Sequence, residues 1–213
     1  MALPIFLTRR NKYRAGLAAA AMATVLYLTA NHYHLIAPVL LPMTWIDRSV
    51  PFVPGTVWIY TSEYIFFAMV YVLTRDMANT NKYLYSFLAL QITSVAIFWF
   101  WPTTYPRGDY PLPDDLGALT YYLFSSLRET DTPTNCAPSL HVSSCYLSSF
   151  IFLDEQRGKF PFFFLWASSV AVSTLTTKQH YLIDVVLGFM MAVIFYWIFH
   201  RLIPYRTGAQ AKR

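Results

Sequence analysis

Hydrophobic positions along the 213-residue chain gather into six blocks: an Ala-rich run at 14–30, then 56–74, 83–101, 137–153, 160–175 and 181–202. A helix needs about 20 apolar residues to cross a bilayer, with a lower bound near 17, so each block predicts a transmembrane helix. The fourth and fifth sit at the short limit. The first block follows Arg9, Arg10, Lys12 and Arg14, as a signal peptide would, but its length predicts a membrane helix.

The separators are of three kinds. Residues 75–82 and 154–159 read as turns. Between the first two blocks, Pro38, Pro42, Pro51 and Pro54 break regular structure around Trp45, Asp47 and Arg48, a connector expected at the membrane interface. Segment 102–135 is the one long polar stretch, with five prolines and the acids Asp109, Asp114, Asp115, Glu129 and Asp131. Within it Asp114 and Asp115 are placed to cap a short surface helix running through Tyr121 and Leu127. No repeat or second domain interrupts the pattern. The expected fold is therefore an all-α integral membrane protein, a single six-helix domain over 1–213.

Composition agrees. Only 13% of residues are charged and 56% are hydrophobic, with a mean hydropathy of +0.38; a soluble domain carries about a quarter charged residues. The net charge of +5 forms no single patch, which argues against nucleic acid. Cys136 and Cys145 are too few for a disulfide framework and read as small helix residues. In a six-span topology both termini share a side. That side holds twelve of the sixteen Lys and Arg, including Arg75, Lys82, Arg157, Lys159, Lys212 and Arg213; the other holds Arg48, Arg107, Arg128 and Lys178. Basic loops stay cytosolic, so the termini are expected in the cytosol and the long acidic loop periplasmic, extracellular or lumenal.

Candidate chemistry falls on that far face. His180 and Asp184 stand four residues apart where the last block begins, so a helix puts them on one face. A carboxylate beside an imidazole fixes its tautomer and leaves Nε2 free to attack. The same spacing also serves as a plain helix contact. Asn135-Cys136-Ala137-Pro138-Ser139-Leu140-His141 opens the fourth block. Pro and Ser fit a helix start, and a helix N-terminus attracts anions. Glu63 is a lone carboxylate inside the second block, expected to face the bundle interior as a hydrogen-bonded helix contact.

Together, Pro138-Ser139-x-His141 and His180-x-x-x-Asp184 resemble the second and third signature motifs of the type 2 phosphatidic acid phosphatase superfamily. The resemblance runs from about Asp47 to Gly188. It implies six membrane helices, an active site at one membrane face, and phosphoryl transfer through a phosphohistidine without metal or cofactor. It departs in two places. Arg107 matches the arginine of the first motif, but Phe100 and Gly108 replace its Lys and Pro; Thr174 replaces the arginine of the third, and Lys178 stands near enough to supply the charge. The Pro102-Thr103-x-x-Pro106-Arg107 form, Ser139-Leu140-His141, and the connector from Asp47 to Pro54 look closer to the inositol phosphorylceramide synthase-like branch.

On this reading His180 is the nucleophile, Asp184 orients it, and His141 protonates the leaving oxygen and then deprotonates the acceptor. Arg107, Ser139 and Lys178 cradle the phosphate of a membrane lipid substrate. Water, giving a phosphatase, and an alcohol or lipid, giving a headgroup transferase, stay open as acceptors. Two readings from other classes stand beside it: a non-catalytic scaffold or transporter, and a metal site built from His141, His180 and Asp184, which Arg107 and Lys178 would disfavour by repelling a cation.

Overall fold

The computed structural model describes residues 2–207; Lys212 and Arg213, counted above with the terminus side, lie outside the described residues. The chain is mostly helical, and a helix covers every predicted apolar block. In order these are α1 (Lys12–His32), α2 (Trp45–Ser49), α3 (Val57–Thr61), α4 (Glu63–Leu73), α5 (Met77–Phe100), α6 (Ala118–Thr130), α7 (Leu140–Glu155), α8 (Phe160–Thr176) and α9 (Leu182–Trp197). Helices α3 and α4 form one apolar run from Pro54 to Leu73, and α9 continues as a π-turn to Leu202.

Three helical stretches are long and apolar enough to cross a membrane: Pro54–Leu73, Met77–Phe100 and Leu182–Leu202, with mean hydropathies of 1.3, 1.5 and 2.3. Helices α7 and α8, with 16 and 17 residues, are shorter. The bundle is apolar outside, and its interior mixes an aromatic and aliphatic core with many buried polar groups. Leu17, Val25, Ile65, Val72, Leu165 and Met190 are exposed, while Asn79, Gln91, Ser94, Ser144 and Ser148 are buried. An apolar exterior around buried polar groups suits a protein whose surroundings are hydrocarbon.

Helix α5 serves as a ruler. Its 24 residues span about 36 Å, slightly more than a bilayer core. At its start, strand β1 (Leu3–Ile5) pairs in parallel with the C-terminal strand β4 (Tyr205–Thr207), and Asn81 accepts the Phe6 and Leu7 N–H groups. Just past its end, β2 (Val39–Leu40) pairs with β3 (Thr103–Thr104). The two chain ends thus meet at one end of the bundle, and loops 33–56 and 101–139 gather at the other.

The buried centre is α7, which packs against α9, α8, α5 and α4. Its serines explain how. Ser143, Ser148 and Ser149 return their hydroxyls to the carbonyls of Leu140, Ser144 and Tyr146, and their small size lets neighbours approach. Gln91 donates to Ser144 Oγ at 3.0 Å, and Tyr83 pairs with Ser148 Oγ at 2.7 Å. The closest crossing is with α9. A Cβ on Gly188 would lie 2.6 Å from the Ser139 carbonyl oxygen.

Three expectations are corrected. Helix α5 begins at Met77, inside the predicted turn 75–82, because Asp76 Oδ1 accepts the Ala78 and Asn79 N–H groups and caps it. Helix α6 exists, but Gly117 is its N-cap and no side chain caps it; Asp114 and Asp115 belong to the turn ahead. Cys136 is a buried loop residue, while Cys145 does lie in α7.

Gly188→Val places two methyl groups against main chain that cannot yield. We expect a loss of about 1–3 kcal/mol in detergent unfolding, with activity falling further than stability; an unchanged melting curve would contradict this packing.

Candidate active site

Both sequence-predicted histidines sit at the loop-rich end, and they touch. The His141 and His180 ring centroids are 5.7 Å apart, and His180 Nε2 lies 3.5 Å from His141 Nδ1. The α7–α9 crossing does this. Ser139 caps α7 through its Oγ, which accepts the Val142 N–H, while its own N–H donates to the Asp184 carbonyl at 3.0 Å. His141 and His180 lead from these two helix starts.

His180 is fixed by acceptors. Its Nδ1 is 3.0 Å from the Cys136 carbonyl and 3.3 Å from Asp184 Oδ2. A carbonyl can only accept, so Nδ1 carries the proton and the Nε2 lone pair faces His141. Asp184 is held in turn by the Tyr181 N–H at 2.8 Å and is fully buried.

His141 has its own carboxylate. Glu63 Oε1 is 3.5 Å from its Nε2, and the Tyr60 hydroxyl lies 2.9 Å from Nε2 and 3.2 Å from Nδ1. Glu63 and Tyr60 are three residues apart and flank the α3–α4 junction, where Ser62 turns its hydroxyl onto the Ile59 carbonyl. Glu63 therefore meets an imidazole, beyond the helix contact expected for it. Sequence reasoning missed Tyr60; an aromatic one turn from a lone intramembrane carboxylate was the available signal.

Arg107 is buried in an ion pair with Asp131, its Nη2 2.9 Å from Oδ2 and its Nη1 on the Asp131 carbonyl. Asp131 also accepts from the Tyr27 hydroxyl and from Asn31 Nδ2, which ties α1 to the long loop. Neither Asp131 nor its α1 partners were singled out from sequence.

Lys178 is held by the connector. Its ammonium donates to the carbonyls of Asp47 at 2.9 Å and Val50 at 2.6 Å, and it lies over the Tyr110 ring. The contact with the phosphate expected of it is not what these bonds serve. Its φ of 55° is left-handed, a conformation that costs a residue with a side chain about 1–3 kcal/mol. The two carbonyl bonds offset that cost and set the turn that delivers His180. Asp47 completes the brace: Oδ2 accepts from Thr44 in a capping box, and Oδ1 accepts the Leu182 N–H at 2.7 Å.

Cys136 Sγ, His180 and Asp184 offer ligand atoms within 4.8 Å of one another. This differs from the predicted metal set, since Cys136 takes the place of His141. Burial, reinforced by the Asp184 charge, pushes the Cys136 thiol well above its usual range, so it stays protonated and is a poor ligand at neutral pH.

A helical bundle that is apolar outside, with two imidazoles each backed by a carboxylate at one end, has the build of a membrane protein with a paired-imidazole site. The family model described as the PAP2 superfamily matches residues 39–198, and the chain belongs to that superfamily. Its members are phosphatases and phosphotransferases acting on phosphorylated, lipid-like substrates. No curated protein matches the chain.

Burial alone would raise the Asp47 carboxyl, but hydrogen bonds from Thr44 and the Leu182 N–H, with the Lys178 charge, hold it below the ordinary carboxylate range. A depressed folded value means its contribution is complete above the unfolded value and is lost as pH falls through the folded one. Asp47→Asn should cost about 1–3 kcal/mol near neutrality, and its stability curve should converge with wild type in acid. Parallel curves down to low pH would sink this role.

Proposed function

We propose that the chain is a six-span membrane enzyme that takes a phosphoryl or phospho-headgroup from a lipid phosphate through a phosphohistidine at His180. The locked Nδ1–H of His180, with Nε2 aimed at a second imidazole, carries this reading. Both termini lie on the cytosolic side and the site faces the other compartment. The bundle's geometry and the Lys and Arg count support that orientation.

The Nε2 lone pair attacks phosphorus and the P–O ester bond breaks. His141 gives its proton to the departing oxygen. The acceptor O–H then attacks, its proton returns to His141, and the P–N bond breaks. Charge on the transferred group is met by Arg107, whose buried Nε has no partner among the described residues while Asp131 holds its other two nitrogens, and by the α7 N-terminus beside Ser139. We assign Lys178 to holding the His180 turn, because phosphate contact would require it to abandon two carbonyls. No metal has a role in this reading, since the Cys136 thiol keeps its proton. Turnover therefore survives chelation.

Burial favours an alcohol or lipid acceptor, as in inositol phosphorylceramide synthase-like enzymes, over bulk water. The His180 residue is 6% exposed, and the His141 side chain 13%. A site closed to solvent protects a phosphohistidine from hydrolysis.

An aryl phosphate leaves without acid help. With it, His141→Ala should still form an acid-labile phosphoenzyme but discharge it at least about a hundredfold more slowly, whereas His180→Ala should form none. Labelling equal to wild type in His180→Ala removes the nucleophile assignment. In isotopically labelled water, a new phospholipid with little labelled free phosphate is the expected result; stoichiometric labelled phosphate makes the enzyme a hydrolase.

A further inference from the structure

One large cavity, of about 570 Å³, runs down from this site between α1, α4 and α5. Its roof is polar: His141, Glu63 and Asp131. Its walls are mostly apolar, with Phe67 and Ala68 from α4, Phe87 from α5, and from α1 the small Ala19, Ala20 and Ala23 between the larger Leu17 and Leu28. His180 is not among its lining residues.

The cavity has a floor. Gly16 leaves room that the Tyr71 ring occupies; a Cβ there would lie 2.4 Å from that ring. The Tyr71 hydroxyl donates to the Lys12 carbonyl at 2.7 Å, and Lys12 Nζ donates to the Thr74 and Val72 carbonyls, closing the base with a fixed charge. From Gly16 to Leu28, both on its lining, α1 rises about 18 Å. The cavity also has a side opening. Helix α1 packs on α5 and leaves α4 largely uncovered, with Leu17, Tyr64 and Val72 exposed along the slot.

We propose that this cavity holds one linear hydrocarbon chain, belonging to the alcohol whose oxygen His141 serves, and that the floor at Tyr71 and Gly16 measures its length. The inference rests on the catalytic reading above and adds the substrate class: a lipid alcohol, as leaving group or acceptor, that contributes a single tail here. Three observations select this occupant. The cavity is continuous with His141 but not with His180, so what enters it brings its polar end to the acid–base imidazole rather than to the nucleophile. Apolar walls under a polar roof match an amphiphile and not a headgroup. The slot is rimmed by the exposed Leu17, Tyr64 and Val72 on the apolar outer surface of the bundle, where a hydrocarbon tail is better accommodated than a headgroup.

The test uses the full chain in nanodiscs and a series of n-alkyl phosphates of increasing length. In wild type, kcat/KM should rise with chain length until the tail reaches the floor, then level or fall. Ala23→Phe blocks the cavity midway and should lower the long-to-short ratio of kcat/KM by about tenfold or more. Ala20→Leu asks the same question should the larger side chain prevent folding. Tyr71→Ala, which opens the floor, should move the optimum to longer chains. Phosphoryl transfer with one flat length profile across wild type and these variants overturns the assignment while leaving the catalytic reading intact. Absence of phosphohistidine with every alkyl phosphate would instead bring down the catalytic reading, and this inference with it.

Discussion

The site depends on one backbone crossing. Helices α7 and α9 begin within hydrogen-bond distance of each other, with the Ser139 N–H on the Asp184 carbonyl and the Ser139 carbonyl pressed where Gly188 has no side chain. Each contact needs the other. The hydrogen bond fixes the height of the two starts, and the glycine lets them come close enough to make it. Because His141 lies two residues past Ser139 and His180 four before Asp184, fixing these two starts fixes the gap between the imidazoles. No residue far from the crossing can tune that gap so directly, and an added methyl at position 188 would widen it at source.

Holding charges in so dry a bundle has a cost, and the chain meets it by pairing nearly every one. Arg107 has Asp131, Asp131 has Tyr27 and Asn31, Asp47 has Thr44 and the Leu182 N–H, and Lys178 has two carbonyls. A buried ion pair adds little to stability in itself, but breaking it strands a charge. These pairs therefore act as braces. They join α1 to the long loop and the connector to α9, and so hold the loop end of the bundle together around the histidines. The same closeness imposes a movement. With His180 Nε2 at hydrogen-bond distance from His141 Nδ1, no phosphorus atom fits between the rings until one turns aside.

Much of this was legible in the chain. Blocks of apolar residues mark their helices because hydrophobic length is a local property, and the motif around Pro138 and Ser139 marks a helix start because capping is local too. The 180/184 pairing forms without the helical periodicity expected of it: α9 starts at Leu182, so His180 lies ahead of the helix and its ring turns back onto Asp184. What stayed hidden is long-range. Nothing in the sequence near Lys178 says that its ammonium will find carbonyls some 130 positions away. Tyr60 and Glu63 meet His141 only after the second block folds against the fourth. The start of α5 was misplaced for a different reason: Asp76 caps a polar stretch whose composition looks like a turn, and a cap outweighs weak propensity.

The two carboxylate–imidazole pairs look alike but are built differently, and the difference matches two kinds of work. Asp184, in the first turn of α9, reaches back to His180 just ahead of that helix and is pinned by the Tyr181 N–H, while the Cys136 carbonyl takes the same ring nitrogen. That ring has one tautomer available, which suits a nucleophile that must present the same lone pair in every cycle. Glu63 approaches His141 from another helix at a looser 3.5 Å, and the Tyr60 hydroxyl, which can donate or accept, reaches both ring nitrogens. A partner able to reverse its role lets an imidazole hold a proton, release it and take it back without losing its contacts. Rigid acceptors around one ring and an adaptable hydroxyl beside the other are what the proposed division into nucleophile and acid–base requires.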